Sequence, residues 1–234
     1  MLHKLTLAVT FLCLALFLPG ILLANRGIIS PMAGMGFFVA GGLLGLIAVV
    51  LAVLVMWRTR QFAVALLGTF GLMPLLVLVA AIADGARYPV INDISTDLNN
   101  VPAFTHAASL EGNAGRDLSF PPDFAAIIRE GYPALAPMTL PLQADLAYER
   151  ALDLAKTRMT GWEVTHEDAA ARTFEAVANT RLLRFQDDVV VRVTPVSDVE
   201  SRVDMRSKSR EGKGDMGANA RRIGRFFREL ALKR

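Results

Sequence analysis

The sequence predicts a bundle of apolar helices followed by a two-layer α+β domain, and three observations carry that prediction. Three uncharged apolar runs, each about 20 residues and so long enough to cross a bilayer as helix, fill the first third of the chain. Later segments alternate apolar and polar side chains, the period of strands with one buried face. Two further segments repeat apolar residues at the spacing of helices packed by one side.

The bulk composition locates the division. The 234 residues are 53% hydrophobic and 20% charged, where a soluble domain is about 45–50% apolar. The excess lies before Asp84. We therefore read residues 1–86 as a transmembrane region and 87–234 as a soluble domain, long enough to bury its own core. The single cysteine, Cys13, lies in an apolar run, which excludes a disulfide-stapled scaffold. The net charge of +3 is small, but basic residues crowd the C-terminal end. Such a tail suits an anionic surface.

The predicted spans are 5–24, 37–57 and 62–83. In hydrocarbon the backbone must satisfy itself, so each reads as helix. Arg58-Thr59-Arg60-Gln61 leaves room only for a tight antiparallel hairpin between the second and third, with Trp57 as an interfacial anchor. Lys4, Arg58 and Arg60 on one side outnumber Arg26 and Arg87 on the other. That bias puts the N-terminus inside and the soluble domain outside the cytoplasm, periplasmic in a cell with two membranes, with the helices in the inner membrane. Leu22-Leu23-Ala24 offers an alternative in which the first run is a cleaved signal peptide. Gly41 and Gly45 form a GxxxG pair, read either as a route to an oligomer or as packing inside the bundle. The spans contain no ionisable residue, which argues against a transporter.

Seven prolines between 88 and 141 predict an extended or looped segment, with one short helix at 123–130 after Pro121-Pro122. Residues 142–159 follow a helical period. Strands are expected at 162–165, 173–180, 181–185, 189–194 and 201–209, with 195–200 as a hairpin connection. In the last strand Val203, Met205 and Ser207 alternate with Arg202, Asp204, Arg206 and Lys208, implying one charged face. Asp215 is placed to cap a final helix reaching about Leu232, whose Ile223, Phe226, Phe227 and Leu230 share a face.

Several strings in this half are familiar together: Asn92-Asp93-Ile94-Ser95-Thr96-Asp97 after Tyr88-Pro89, Asp187-Asp188-Val189-Val190-Val191-Arg192-Val193, Ser201-Arg202-Val203-Asp204-Met205-Arg206-Ser207, and Ser209-Arg210 followed by Gly214-Asp215, Gly217 and Asn219-Ala220-Arg221-Arg222-Ile223. Over residues 88–230 the chain resembles the family catalogued as domain of unknown function 1499. Lys208 stands where the pattern would have arginine. The resemblance implies that 88–230 is one unit, and it implies no activity.

Each candidate for chemistry has a plainer reading. Gly212-Lys213-Gly214-Asp215-Met216-Gly217 matches GxGxxG, but the strand and acidic residue that a dinucleotide fold needs about 20 positions on are not found there. What remains is a glycine-rich turn at a helix N-terminus, where Arg206, Lys208, Arg210 and Lys213 can converge on an anion. Arg221, Arg225 and Arg228 share a helix face, suited to lipid headgroups or simply to water. Asn92, Asp93, Ser95 and Asp97 form a polar cluster. Its alternating oxygens open like a calcium loop, but Leu98 and Phe104 replace the glycine and the closing glutamate, so turn capping is the better account. His3, His106 and His166 lack metal spacing. No G-x-S-x-G elbow is present, and Glu149, Glu167, Asp168, Asp187 and Asp188 offer no distinguished acid/base pair.

The sequence therefore predicts a non-enzymatic envelope protein, with no metal or cofactor and no nucleic-acid partner, whose domain binds an envelope protein or anionic lipid through its basic C-terminal strand and helix. The alternative is an envelope enzyme with a site drawn from Asp93, Asp97 and the C-terminal arginines.

Overall fold

The structure is a computed structural model that describes residues 1–232. It divides into a helical unit, Met1–Arg87 with Arg181–Arg184, and an α+β unit, Tyr88–Thr180 with Phe185–Arg234.

The helical unit holds three helices long and apolar enough to cross a membrane: α1 (Leu2–Asn25), α2 (Pro31–Thr59) and a third over Phe62–Gly85. Ser30 starts α2 by accepting the Ala33 amide at 3.2 Å, and Pro31 occupies the first position, where no amide is missed. The third helix is α3 (Phe62–Gly68) and α4 (Leu72–Gly85), joined by a tighter turn at Thr69–Gly71. Pro74 accounts for that turn: it has no N–H for the Phe70 carbonyl, and its ring crowds that oxygen. The two glycines of the GxxxG pair are spent inside the bundle. A Cβ on Gly41 would sit 2.7 Å from the Phe17 Cβ, and one on Gly45 would collide with the Gly71 carbonyl. The pair thus serves close packing of α2 within the chain. Cys13 is buried in the same seam, its thiol donating to the Gly41 carbonyl at 3.1 Å.

In the α+β unit an antiparallel sheet runs β1-β6-β5-β4-β3, with β2 also on β6. The strands are β1 (Asp93–Ser95), β2 (Met138–Leu140), β3 (Trp162–Asp168), β4 (Thr173–Asn179), β5 (Gln186–Ser197) and β6 (Glu200–Ser209). The helices are α5 (Phe124–Gly131), α6 (Ala144–Thr157) and α7 (Ala218–Leu232). Val189, Val191 and Val193 of β5, Val203 and Met205 of β6, and Phe174 and Ala176 of β4 meet the apolar faces of α6 and α7 in one core. Trp162 stacks on Phe226 there, ring centroids 5.5 Å apart. Asp215 accepts the amides of Gly217 and Asn219, each at 2.8 Å, and so caps α7.

Three expectations change. Residues 181–185 are not a strand: the amide of Thr180 bonds the Phe185 carbonyl at 2.8 Å, the amide of Phe185 bonds Thr180 Oγ1 at 2.9 Å, and Arg184 is left-handed at φ +59, closing a loop. The β5–β6 hairpin is tighter than predicted, both strands continuing to the Ser197–Glu200 pair. The proline-rich segment also contributes two three-residue strands, β1 and β2, which exist through their pairing to the long β6.

Candidate functional site

Period-2 alternation leaves the second sheet face to Glu175 of β4, Asp188 and Arg192 of β5, and Arg202, Asp204, Arg206, Lys208 and the adjoining Arg210 of β6. This charged face is not solvated along its length. Residues 98–122 lie over it as an irregular strap, and most of its charges are buried.

Asp93 is the centre of the first cluster and is fully buried. Arg206 grips it with two bonds, Nε to Oδ1 at 2.9 Å and one terminal nitrogen to Oδ2 at 2.7 Å. Lys208 reaches Oδ2 at 3.0 Å. The register makes this inevitable, since Asp93 sits opposite Lys208. One carboxylate therefore serves two cations, and the strap makes up the difference. The carbonyls of Pro102 and Leu118 accept from Arg206 at 3.1 and 2.8 Å, and that of Ser119 accepts from Lys208 at 3.1 Å. Phe104 and Phe120 present ring faces to the guanidinium at 4.6 and 5.5 Å.

Two more clusters follow the same plan. Arg210 holds buried Asp188 through bonds of 2.7 to 3.1 Å, and Asn113 and Arg116 of the strap reach the same carboxylate. Arg192 and Arg202 share Asp97 and Asp204 at 2.7 to 3.4 Å. Burial pushes Asp97 up, but the amides of Asn100 and Asn99 and the guanidiniums of Arg202 and Arg192 outweigh it and hold its carboxyl below the usual range. Asp204 goes the other way, because its burial outweighs the same arginines. On the helix side, Arg222 pairs with Asp187 while Asn219 links Ser207 and Ser209.

The structure thus distributes the predicted site residues unequally. Arg206, Lys208 and Arg210 are turned to carboxylates rather than converging on the glycine-rich turn. The α7 amides expected to receive an anion are taken by Asp215, whose own carboxyl burial pushes up. Ser95 donates to the Asp97 carbonyl at 2.9 Å and Asn92 to the Gly212 carbonyl at 2.7 Å, so the polar cluster makes turns and sheet-edge contacts. Lys213, Arg221, Arg225 and Arg228 are the predicted residues left exposed. Of these, Arg221 lies 5.0 Å over the Tyr88 ring. Asp93 has both oxygens bonded within the domain and no exposure. Among the described residues no three His, Cys, Asp or Glu side chains are grouped to hold a metal. Sequence reasoning missed the role of Glu175 and the stacking of His106 on His166, 4.9 Å apart, because both join the strap to the far strands across long stretches of sequence.

No curated protein matches the chain. Among solved structures it is similar to the di-domain ARO/CYC BexL from the BE-7585A biosynthetic pathway, at 15% identity and a TM-score of 0.30, over 40% of this chain and 42% of that one. The likeness is too slight to extend to fold or function. The family model described as protein of unknown function (DUF1499) matches residues 93–230, from β1 to the last turn of α7. That interval takes in all six strands and the three helices of the α+β unit, and the chain belongs to the DUF1499 family.

Proposed function

We propose that this is a non-enzymatic membrane protein whose α+β domain lies outside the cytoplasm and engages anionic phospholipid headgroups through the outer face of α7. The observation that carries the reading is the division of the basic segment into two classes. Arg202, Arg206, Lys208 and Arg210 are consumed by internal carboxylates. Lys213, Arg225 and Arg228 are exposed, as is Arg221 over the Tyr88 ring, and the three arginines lie on one side of a helix whose other side is core. Exposed cations at i, i+4 and i+7 can meet several phosphates of a surface at once, each contributing about 1 kcal/mol near an anionic leaflet. Connectivity brings such a surface within reach: Tyr88 follows the end of α4 at Gly85 by three residues, at most about 11 Å of extended chain.

The test uses the full chain in detergent, titrated separately with phosphatidylglycerol and phosphatidylcholine, with bound lipid counted by native mass spectrometry. Wild type should retain more of the anionic lipid, and Arg225→Glu with Arg228→Glu should remove that preference, about a thirtyfold loss if two headgroup contacts of about 1 kcal/mol each vanish. Equal retention before and after charge reversal would sink the reading. The side is tested by single cysteines at Asp198 and Thr59 in a Cys13→Ser background, both positions being exposed. An impermeant thiol reagent applied to intact cells, with any outer membrane opened, should label 198 and spare 59; the reverse pattern would put the domain in the cytoplasm.

A further inference from the structure

We infer that the turn leading into α7, together with the first residues of the domain, forms an interfacial wedge that seats in the bilayer surface; this rests on the lipid reading of α7 and supplies its apolar half. Large exposed apolar side chains are few on the α+β unit, and two of them, Val90, 77% exposed, and Met216, 49% exposed, lie at the turn that leads into α7. Val90 lies against Gly214, whose added Cβ would be 3.1 Å from it. Met216 is two residues further on and is held at φ +50, a left-handed conformation that L side chains rarely adopt.

The surroundings fix that conformation. Tyr88 packs so closely on Gly217 that a Cβ there would lie 2.7 Å from its ring. Asp215 bonds both onward amides and donates its own amide to the Ile91 carbonyl at 3.1 Å. Asn92 closes the turn through the Gly212 carbonyl. The strain therefore presents a flexible thioether side chain to the outside. It is flanked by Lys213 on the turn and by Arg221 over Tyr88, the amphipathic pattern of segments that lie in the headgroup region.

Charge decides between this patch and its nearest rival. The β5–β6 hairpin tip exposes Val196 and Val199 to a similar degree, but Asp198 and Glu200 accompany them. The α7 turn carries Glu211 and Asp215 as well, but Asp215 is turned to the amides of Gly217 and Asn219 while Lys213 and Arg221 are exposed, so an anionic bilayer repels the hairpin tip more than the turn.

The experiment places an environment-sensitive fluorophore on Met216→Cys, and separately on Val90→Cys and Val199→Cys, each in the Cys13→Ser full chain in nanodiscs. Lipid carrying a spin label at a shallow acyl position quenches whatever enters the boundary region. Probes at 216 and 90 should lose about half of their emission and shift to the blue, as expected for a seat about 5–10 Å deep, while the probe at 199 should not change. Unquenched emission at both 216 and 90 overturns the wedge, even if phosphatidylglycerol preference persists in the charge-reversal experiment. Quenching at both positions with no anionic preference leaves the wedge standing and removes the α7 reading alone.

Discussion

Asp93→Asn is expected to destabilise the α+β domain by about 3–5 kcal/mol, the usual loss when one partner of a buried ion pair is removed. The substitution keeps the shape and deletes the one charge shared by Arg206 and Lys208, both nearly fully buried. Both cations bond the same oxygen, at 2.7 and 3.0 Å, so their charges are no more than about 6 Å apart. At an effective dielectric of about 20 their repulsion is then about 3 kcal/mol. The remaining strap carbonyls and the rings of Phe104 and Phe120 solvate the cations but carry no net charge. Trp162, stacked in the core on Phe226, reports unfolding by fluorescence in a Trp57→Phe background. Asp198→Asn, exposed at the β5–β6 hairpin tip, serves as the control and should leave the unfolding midpoint nearly unchanged. A loss below about 1 kcal/mol in Asp93→Asn would show that the neutral ligands alone hold the two cations.

The legible parts of this protein are those whose signal is local. Uncharged runs announced the three long helices. The spacing of Ile223, Phe226, Phe227 and Leu230 gave α7, and Asp215 was identifiable as its cap because capping acts over a few residues. The alternation of β6 assigned every side chain from Arg202 to Lys208 to its correct face. What alternation does not say is what covers a face. The charged side of β6 reads as solvated because charges face water by default, and the cover is an aperiodic strap starting some hundred residues earlier. The carboxylates that neutralise it, Asp93 and Asp97 from one segment and Asp188 from another, are far from β6 in sequence or on another strand, and the pairing of β1 and β5 with β6 brings them to it. The basic segment therefore looked like one anion-binding surface when it is two populations. Those on β6, with Arg222 of α7, bond internal carboxylates, whereas Lys213, Arg225 and Arg228 are exposed.

Glu175 makes the sharpest distinction between holding the strap and holding the sheet. Its carboxylate is 2% exposed and takes the amides of Thr105, His106 and Ala107 at 2.6, 2.9 and 2.7 Å, with the Thr105 hydroxyl at 2.7 Å. Successive backbone amides around one anion form a nest, and here the anion is the protein's own. Charge-assisted bonds of this kind are roughly twice as strong as neutral ones, and the cluster sits on β4 rather than on β6, away from the Asp93 pair. Glu175→Gln keeps one carbonyl acceptor but turns an NH2 group toward donors, leaving at least one buried amide unsatisfied at about 1–3 kcal/mol. The expected result is therefore local. Hydrogen exchange at Thr105, His106 and Ala107 should accelerate by about tenfold or more, as should exchange at the neighbouring Asn113, whose amide side chain bonds the Ala107 carbonyl. Amides of α6 and α7, anchored in the core on the opposite face, should keep their protection. If those helices accelerate in step with the strap, the strap is part of the cooperative core and the charged face cannot be uncovered without unfolding the domain. If only the strap accelerates, the ion pairs of β6 are a foundation that survives without its cover, and Asp93 rather than Glu175 is the residue on which the fold depends.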